Sequence, residues 1–378
     1  MADNTVKSLV SEGQSIWLDD ISRQLLQSGE LARQIEKIGI RGVTSNPTIF
    51  EKAIAAGTAY DDQVADLIQA GKSAGEIFEA VAVDDIRDAC DLFRPLYDSS
   101  NGGDGFVSIE VSPDFARDAD RTIVEARRLW SEIDRPNLMV KIPGTAECVP
   151  AIKTALTEGI SINVTLLFSL ANYERVANAY VEALEDRLGQ SNPIHHVASV
   201  ASFFVSRVDT IVDKAIDDAI AGGGHTDHLA PLKGQIAVAN AKLAYATFME
   251  IFGGKRFATL REAGAHVQRP LWASTGTKNP AYPDTLYVDA LIGPDTVNTA
   301  PGKTIEAFLD HGTVARTVDQ CVDEARAQVA VLAAHGIDLD ALTAELETQG
   351  IDSFQKSYAA LIGGVESKRQ ELAAVVAD

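Results

Sequence analysis

The sequence is poor in cysteine, in basic residues and in long apolar runs. Its 378 residues include only three cysteines, Cys90, Cys148 and Cys321, with no CxxC pair, which argues against a disulfide-stabilised secreted protein. Lys and Arg number 33 against 54 Asp and Glu, for a net charge of −21, so neither nucleic acid nor an anionic membrane is an expected partner. No apolar run approaches the length of a transmembrane helix, and the first residues lack the pattern of a signal peptide. We therefore expect a cytoplasmic protein.

What the sequence does contain is a repeated alternation of short β-type runs with longer amphipathic helical patterns. The candidate strands are residues 14–19, 39–45, 105–111, 138–142, 160–165, 196–202, 270–275 and 286–291. Strands that alternate with helices indicate βαβ units and a parallel sheet, and eight of them predict an α/β fold of the closed (β/α)8 TIM-barrel type. An open doubly wound sheet is the alternative, but no GxGxxG motif opens any of the helices, which disfavours its dinucleotide-binding form. We expect a single domain over residues 1–378, with residues 303–378 as a mainly helical C-terminal extension packed over the barrel.

One lysine interrupts an apolar strand. Lys141 lies inside "LMVKI" (138–142), which Pro143 and Gly144 end. Burial disfavours a charged ammonium group, so a useful fraction of this lysine is expected as the free amine. A free amine can attack a ketone to form an iminium ion, which accepts electrons as a carbon–carbon bond breaks. A buried ion pair with an acid is the plainer interpretation, and it is compatible with the first because a partner acid is also needed to move protons.

Further polar residues fall on the inward face of the predicted strands. Along "GFVSIEV" (105–111), aliphatic side chains alternate with polar ones, so Glu110 is predicted to point into the barrel. The same alternation turns four more polar side chains inward: Asp19 in preference to Asp20, Asn46, Asn163 and Thr165. Any one of them could be a hydrogen-bonded structural residue. Their coincidence at the ends of five strands, with a lysine between two acids, favours an active site, because catalytic groups of this fold lie at the C-terminal ends of the strands.

These segments resemble the transaldolase family, in the family's order and over nearly the whole chain. The matching segments are "WLDD", "GVTSNPTIF", "SIEVSP", "LMVKIPGT", "GISINVTLLFS", "SVASFFVSR" and "WASTGTKNP". The length and the "WLDDISR" segment are similar to the longer bacterial subfamily. The resemblance implies a class I, Schiff-base aldolase barrel that needs no metal or organic cofactor, in agreement with the lack of a Cys/His ligand cluster.

The resemblance also implies a reaction and its substrates. A dihydroxyacetone unit would pass from sedoheptulose 7-phosphate or fructose 6-phosphate to glyceraldehyde 3-phosphate or erythrose 4-phosphate, within the non-oxidative pentose phosphate pathway. The expected partners are therefore sugar phosphates, and the choice between a monomer and a homodimer stays open.

Three residues would carry the chemistry that the resemblance implies, together with a water molecule. Lys141 would be the Schiff-base nucleophile. Glu110 would act as acid and base through a water held with Thr165, and Asp19 would take the proton from the C4 hydroxyl.

The remaining site residues would bind the substrate. The hydroxyls of the three-carbon unit would be held by Asn46, Asn163 and Ser202, and the phosphate by Arg207, Ser274 and Lys278. The segment "STGTKN" differs from the compact subfamily by an inserted Thr-Gly and by a lysine in place of an arginine. Lysine lacks the bidentate fork of arginine, so Lys278 is expected to contribute less to phosphate binding than Arg207.

Two other functions remain open at this point. An aldolase that releases free dihydroxyacetone would use the same Lys141 chemistry, and an assay with and without erythrose 4-phosphate would separate the two. A non-catalytic sugar-phosphate-binding barrel would keep Arg207 and Ser274, but it would have no need for a lysine between two acids.

Overall fold

Eight parallel strands form a closed barrel in this computed structural model, which describes residues 4–55, 58–223 and 226–377. Each strand pairs with the next along the chain, and the eighth pairs with the first. The strands are β1 Gln14–Leu18, β2 Gly42–Val43, β3 Phe106–Glu110, β4 Leu138–Pro143, β5 Ile162–Leu167, β6 Ser199–Phe204, β7 Arg269–Ala273 and β8 Thr296–Ala300. The predicted fold class is confirmed, and the open doubly wound sheet is excluded.

Helices connect the strands and surround the barrel. The α-helices before β5 are α1 Thr5–Ser8, α2 Arg23–Gln27, α3 Glu30–Arg33, α4 Pro47–Ala55, α5 Asp61–Gln69, α6 Ala74–Ser99, α7 Ala119–Ile133 and α8 Val149–Glu158. Those after β5 are α9 Leu170–Gly189, α10 Ser206–Ala221, α11 Thr226–Leu229, α12 Ile236–Phe252, α13 Lys255–Glu262, α14 Leu286–Asp289, α15 Gly302–His311, α16 Val322–Ala334 and α17 Leu339–Ala377. Short 3₁₀ helices lie at Leu9–Glu12, Pro113–Phe115 and Ala230–Leu232, and a π-helix lies at Gln34–Ile38. Within the described ranges, no helix combines the length and the apolar character needed to cross a membrane.

Side-chain caps mark the start of three helices that follow strands at the C-terminal end of the barrel. Ser22 accepts a backbone N–H at the start of α2, Asp118 does so at α7, and Ser169 does so at α9. Such caps stabilise a helix by about 1 kcal/mol each, because they satisfy an N–H group that has no partner within the helix.

The N-terminal end of the barrel holds a network of hydrogen-bonded side chains. Trp17 is fully buried, and its indole N–H donates to Asp104 at 3.0 Å. The same carboxylate is paired with Arg41 at 2.5 Å, and Arg269 donates to Ser15 at 2.8 Å in the same network. These polar groups pair with one another, whereas the candidate site residues lie at the opposite, C-terminal ends of the strands.

The predicted eighth strand, residues 286–291, is wrong. That segment contains α14, and the eighth strand is β8, Thr296–Ala300. The buried side chains of β8 are largely polar and find partners on other segments: Gln14 donates to Thr296 at 3.0 Å, and Thr275 donates to Asn298 at 2.8 Å. A search for apolar alternation passes over such a strand, whereas the apolar residues of α14 imitate one.

The second strand is shorter than predicted, with two residues in place of 39–45. Gly42 lies so close to the barrel interior that an added Cβ would be 2.6 Å from the Trp17 ring. A side chain at residue 42 would therefore displace the Trp17 ring from its place in the barrel interior.

The long helix α17 crosses the C-terminal end of the barrel. Asn172, on α9, donates to Glu347 at 2.5 Å on one side, and Thr48, on α4, donates to Ser357 at 2.8 Å on the other. Between them, Gly350 faces the end of β5, where an added Cβ would lie 3.0 Å from Leu166. The prediction that the C-terminal segment is helical and packs over the barrel is confirmed.

Candidate active site

Lys141 is buried at the C-terminal end of β4, with only 5 % of its surface exposed. Its ammonium nitrogen Nζ donates to the backbone carbonyl of Ser45 at 3.1 Å. The same nitrogen lies 3.1 Å from Oε2 of Glu110, which is its register partner on β3. Removing a lysine from water is costly, and these two contacts offset that cost while holding the nitrogen in one place.

Glu110 and Thr165 present buried polar atoms without hydrogen bonds. Neither oxygen of Glu110 accepts a hydrogen bond within the described part of the chain, apart from the ion-pair contact with Lys141, and Oγ1 of Thr165 has no partner there either. Burial raises the pKa of Glu110; the nearby Lys141 opposes this rise, and the Asp19 carboxylate adds to it. Buried polar groups are normally paired, so these atoms form a place suited to a water molecule or a substrate hydroxyl.

Asp19, not Asp20, is turned towards the interior of the barrel. It follows β1, is half-buried, and accepts a hydrogen bond from Thr44 at 2.7 Å. Thr44 in turn lies 2.6 Å from Thr299, which holds the threonine between two strands. Asp20, by contrast, is exposed. Asp19 therefore has a fixed carboxylate on the same side of the barrel wall as Glu110.

Asn163 and Ser202 form a buried hydrogen-bonded pair beside the lysine. Asn163 is the register partner of Lys141 on β5. Its amide donates to Ser108 at 3.0 Å and accepts from Ser202 at 2.7 Å. This chain of contacts fixes the orientation of the amide, so that its remaining hydrogen-bonding capacity points in a defined direction.

Asn46 has a structural role in addition to the predicted one. Its side-chain oxygen accepts the backbone N–H of Ile49 at 3.1 Å, in the first turn of α4. It also lines a cavity of about 60 Å³ that Glu110 and Tyr358 border. The amide nitrogen of Asn46 remains for a ligand.

Arg207 and Ser274 are brought together at the ends of β6 and β7. Ser206, next to Arg207 in the first turn of α10, lies with its hydroxyl 3.0 Å from that of Ser274. Arg207 is half-buried and forms no ion pair or hydrogen bond with any residue that the structure describes. Burial lowers the pKa of this guanidinium. In a chain of net charge −21, a partly buried arginine without a carboxylate partner is well suited to an anionic ligand.

The segment that follows Ser274 is tied to α10 by two tyrosines. Tyr282 donates to Asp213 at 2.6 Å, and Tyr287 donates to Asp209 at 2.8 Å. Lys278 lies exposed in this segment and makes no hydrogen bond or ion pair with the described residues. The geometry thus groups Arg207 with Ser274, and Lys278 stays a prediction.

Three groups at the site were not singled out by the sequence. The Ser45 carbonyl and the Thr44 and Ser108 hydroxyls hold Lys141, Asp19 and Asn163 in place. Thr44 and Ser108 lie two residues before Asn46 and Glu110, so strand alternation places them on the same inward face. A search for hydrogen-bond partners of the candidate residues would therefore have found both hydroxyls. No group of three or more His, Cys, Asp or Glu side chains is arranged to bind a metal in the part of the chain that the structure describes.

Comparison with known proteins places this arrangement in a family. Residues 16–365 match the family model described as transaldolase/fructose-6-phosphate aldolase. The chain belongs to this family. A transaldolase of Thermobifida fusca is 48 % identical over 370 residues, which cover 98 % of each chain. A transaldolase of Thiobacillus denitrificans is 48 % identical over 362 residues, covering 96 % of this chain and 99 % of the relative, and one of Mycolicibacterium smegmatis is 46 % identical over 370 residues. The resemblance drawn from the sequence motifs is confirmed.

Proposed function

We propose that this protein is a transaldolase, a transferase that moves a dihydroxyacetone unit from a ketose phosphate to an aldose phosphate. The observation that carries the proposal is Lys141, buried at the end of β4, 3.1 Å from Glu110 and within a barrel whose full-length relatives are named transaldolases. The donor would be sedoheptulose 7-phosphate or fructose 6-phosphate, and the acceptor glyceraldehyde 3-phosphate or erythrose 4-phosphate. The reaction belongs to the non-oxidative pentose phosphate pathway.

The first step is formation of a Schiff base. The Lys141 amine attacks the C2 carbonyl of the donor and gives a carbinolamine. Glu110 then gives a proton to the departing hydroxyl, which leaves as water, and an iminium ion forms. The raised pKa of Glu110 supports this role, because it makes the carboxyl group a proton donor over a wider pH range than an exposed glutamate. The unpaired hydroxyl of Thr165 is placed to hold the water.

The second step is cleavage of the bond between C3 and C4. Asp19 takes the proton of the C4 hydroxyl, the bond breaks, and its electrons pass to the iminium to give an enamine. The aldehyde product leaves, and the enamine then attacks the acceptor aldehyde in the reverse sequence. The fixed position of the Asp19 carboxylate, hydrogen-bonded to Thr44 at 2.7 Å, supports its assignment as the base.

Substrate binding is assigned to two groups of residues. Asn46, Asn163 and Ser202 hold the hydroxyls of the three-carbon unit, and Arg207 with Ser274 and Lys278 holds the phosphate. The unpaired guanidinium of Arg207 carries the phosphate assignment, since an arginine–phosphate contact is charge-assisted and often bidentate.

The matched family also includes fructose-6-phosphate aldolases, so the second candidate function is release of free dihydroxyacetone by the same chemistry. A product assay separates the two. Fructose 6-phosphate with erythrose 4-phosphate is expected to give sedoheptulose 7-phosphate and glyceraldehyde 3-phosphate. Fructose 6-phosphate alone is expected to give little free dihydroxyacetone. Equal turnover with and without the acceptor would identify an aldolase instead.

We also propose that the protein acts in the cytoplasm, where its phosphorylated substrates are made. All three cysteines are free thiols, and two of them are buried, which fits a reducing compartment. The whole chain, residues 1–378, is proposed to act as one domain with residues 303–378 as its extension, because α17 contacts several elements at the barrel end. A monomer or a homodimer would be compatible with this arrangement.

A further inference from the structure

The ring of Phe354, on α17, lies over the amine of Lys141. The distance from the nitrogen to the ring centroid is 5.8 Å, and Phe354 is only 6 % exposed. Atoms in van der Waals contact are about 3.5–4 Å apart, so the ring covers the nitrogen without touching it. The aromatic face thus forms an apolar wall on the side of the amine that faces α17.

Neighbouring contacts hold this ring in position. Ser357 accepts a hydrogen bond from Thr48 at 2.8 Å, one turn after Phe354. One turn before it, Gly350 allows close packing against Leu166. Gln355 reaches the carbonyl of Pro113 at 3.5 Å. The helix therefore contacts α4, the end of β5 and the 3₁₀ helix after β3, and Phe354 lies between these contacts.

We propose that Phe354 decides whether the three-carbon intermediate is transferred or released, by keeping solvent away from the Lys141 nitrogen. This inference rests on the proposed function and extends it to the residue that sets its outcome. Phe354 is a specificity-determining residue that takes no proton and forms no bond.

The two fates of the enamine differ in what they consume. In transfer, the enamine carbon bonds to the acceptor aldehyde carbon, and the aldehyde oxygen takes up a proton. In release, the enamine carbon takes a proton from solvent, water adds to the resulting iminium carbon, and the C–N bond of the carbinolamine breaks. Release thus returns the lysine amine and free dihydroxyacetone at the expense of one water. An apolar wall beside the nitrogen slows only the second route, because that route needs a proton from solvent at the enamine carbon before an acceptor arrives.

Product release after transfer also needs one water, and the site has a place for it. The water that leaves when the donor forms its Schiff base can remain at Glu110 and Thr165, whose buried polar atoms have no hydrogen bonds. The same molecule can then hydrolyse the product iminium. Covering the amine with Phe354 is therefore compatible with a complete reaction cycle.

The test compares two rates in Phe354→Ala, Phe354→Leu and the unmodified protein. Dihydroxyacetone release is measured with fructose 6-phosphate alone, and sedoheptulose 7-phosphate formation is measured with erythrose 4-phosphate present. Phe354→Ala is expected to raise the ratio of release to transfer by roughly tenfold or more, because water gains access to the intermediate. Phe354→Leu, which keeps an apolar side chain, is expected to raise the ratio less.

Leu361→Ala is the matched control. Leu361 lies two turns further along α17 and is only 1 % exposed, so its loss loosens the packing of the helix without uncovering the amine. Its ratio is expected to stay at that of the unmodified protein. An unchanged ratio in Phe354→Ala, or an equal rise in Leu361→Ala, would overturn the inference. If Phe354→Ala does not fold, Phe354→Leu serves as the test: a raised ratio of release to transfer supports the inference, and an unchanged ratio overturns it. Failure of the unmodified protein to form a Schiff base would instead reject the proposed function.

Discussion

At the scale of single residues, the proposed reaction depends on two carboxyl groups in different surroundings. Glu110 is enclosed beside Lys141, and burial raises its pKa. Asp19 is half-buried and hydrogen-bonded to Thr44. The raised pKa of Glu110 agrees with its proposed role as the acid, and the hydrogen bond from Thr44 fixes the position of the Asp19 carboxylate.

Asp19 and its neighbour Asp20 provide a matched pair of variants. Asp19→Asn keeps the size of the side chain and an oxygen for Thr44 but removes the base, so kcat is expected to fall by roughly a hundredfold or more. Asp20→Asn changes an exposed side chain and is expected to leave kcat nearly unchanged. Steady-state kinetics on both variants checks this. If Asp20→Asn were inactive and Asp19→Asn active, Asp20 rather than Asp19 would be the base, and the prediction would be wrong.

Arg207→Ala tests the phosphate contact. The Michaelis constant for fructose 6-phosphate is expected to rise strongly, because a charge-assisted contact of about 1.5–3 kcal/mol is lost. Activity on unphosphorylated fructose or dihydroxyacetone as donor is expected to stay near that of the unmodified protein. Arg326→Ala, which removes an exposed arginine paired with Asp323, is the control. Equal losses on both kinds of donor would mean that Arg207 supports the fold and that the phosphate binds elsewhere.

At the scale of secondary-structure elements, α10 links the residues proposed to bind phosphate to the rest of the barrel. Arg207 lies in its first turn, and Asp209 and Asp213 on the same helix accept hydrogen bonds from Tyr287 and Tyr282. These tyrosines lie after Ser274 in the chain. The helix therefore fixes the segment after β7 relative to the arginine.

The buried carboxyl group of Asp209 makes a prediction about pH. Burial raises its pKa from 3.8 to about 6. The folded protein thus binds this proton more firmly than the unfolded chain does, so the stabilisation is present at low pH and is lost as the pH rises from about 4 to about 6. Relative to Asp209→Asn, which cannot titrate, the unmodified protein is expected to lose about 1.4 kcal/mol of unfolding free energy per pH unit in this window.

Urea denaturation of both proteins at several pH values between about 4.5 and 6 measures that difference. Comparing the two proteins cancels the opposite pH dependence of carboxylates whose pKa is lowered, such as that of Glu158 beside Arg127. A difference in unfolding free energy that stays constant across the window would contradict the assignment of a raised pKa to Asp209.

Much of the barrel and of its inward face could be predicted from sequence, because apolar alternation marks most of the strands. The alternation identified the inward position of Glu110, and the lone lysine in an apolar strand identified Lys141; the two are register partners in the structure. It failed for β8, whose buried Thr296 and Asn298 are satisfied by hydrogen bonds rather than by apolar packing. Strand pairing of this kind depends on partners from distant parts of the chain and leaves no local pattern.

At the scale of the whole molecule, a strongly acidic protein is proposed to bind anionic substrates. The net charge of −21 repels a sugar phosphate at long range, and the proposed attraction by Arg207 acts only at short range. The position of Phe354 over Lys141 likewise joins two segments that lie more than two hundred residues apart in the chain. Neither this ring contact nor the grouping of Arg207 with Ser274 could be predicted from local sequence, since each joins segments that are distant along the chain.

Salt is expected to help the approach of substrate. Raising sodium chloride from about 0.01 M to about 0.15 M shortens the screening length from about 30 Å to about 8 Å, which weakens the long-range repulsion more than it weakens a contact inside the pocket. The value of kcat/KM for fructose 6-phosphate is expected to rise modestly over this range, while that for unphosphorylated dihydroxyacetone stays constant. A steep fall for fructose 6-phosphate alone would contradict the proposed balance between the repulsive surface and the local pocket.

The central claim is that Lys141 forms the covalent intermediate, and reductive trapping tests it most directly. Sodium borohydride is added to the protein in the presence of fructose 6-phosphate, and the modified peptide is identified by mass spectrometry. The account predicts a reduced three-carbon adduct on the peptide that contains Lys141, on no other lysine, and its loss in Lys141→Ala. Labelling that persists in Lys141→Ala, or an adduct on a different lysine of the unmodified protein, would contradict the account.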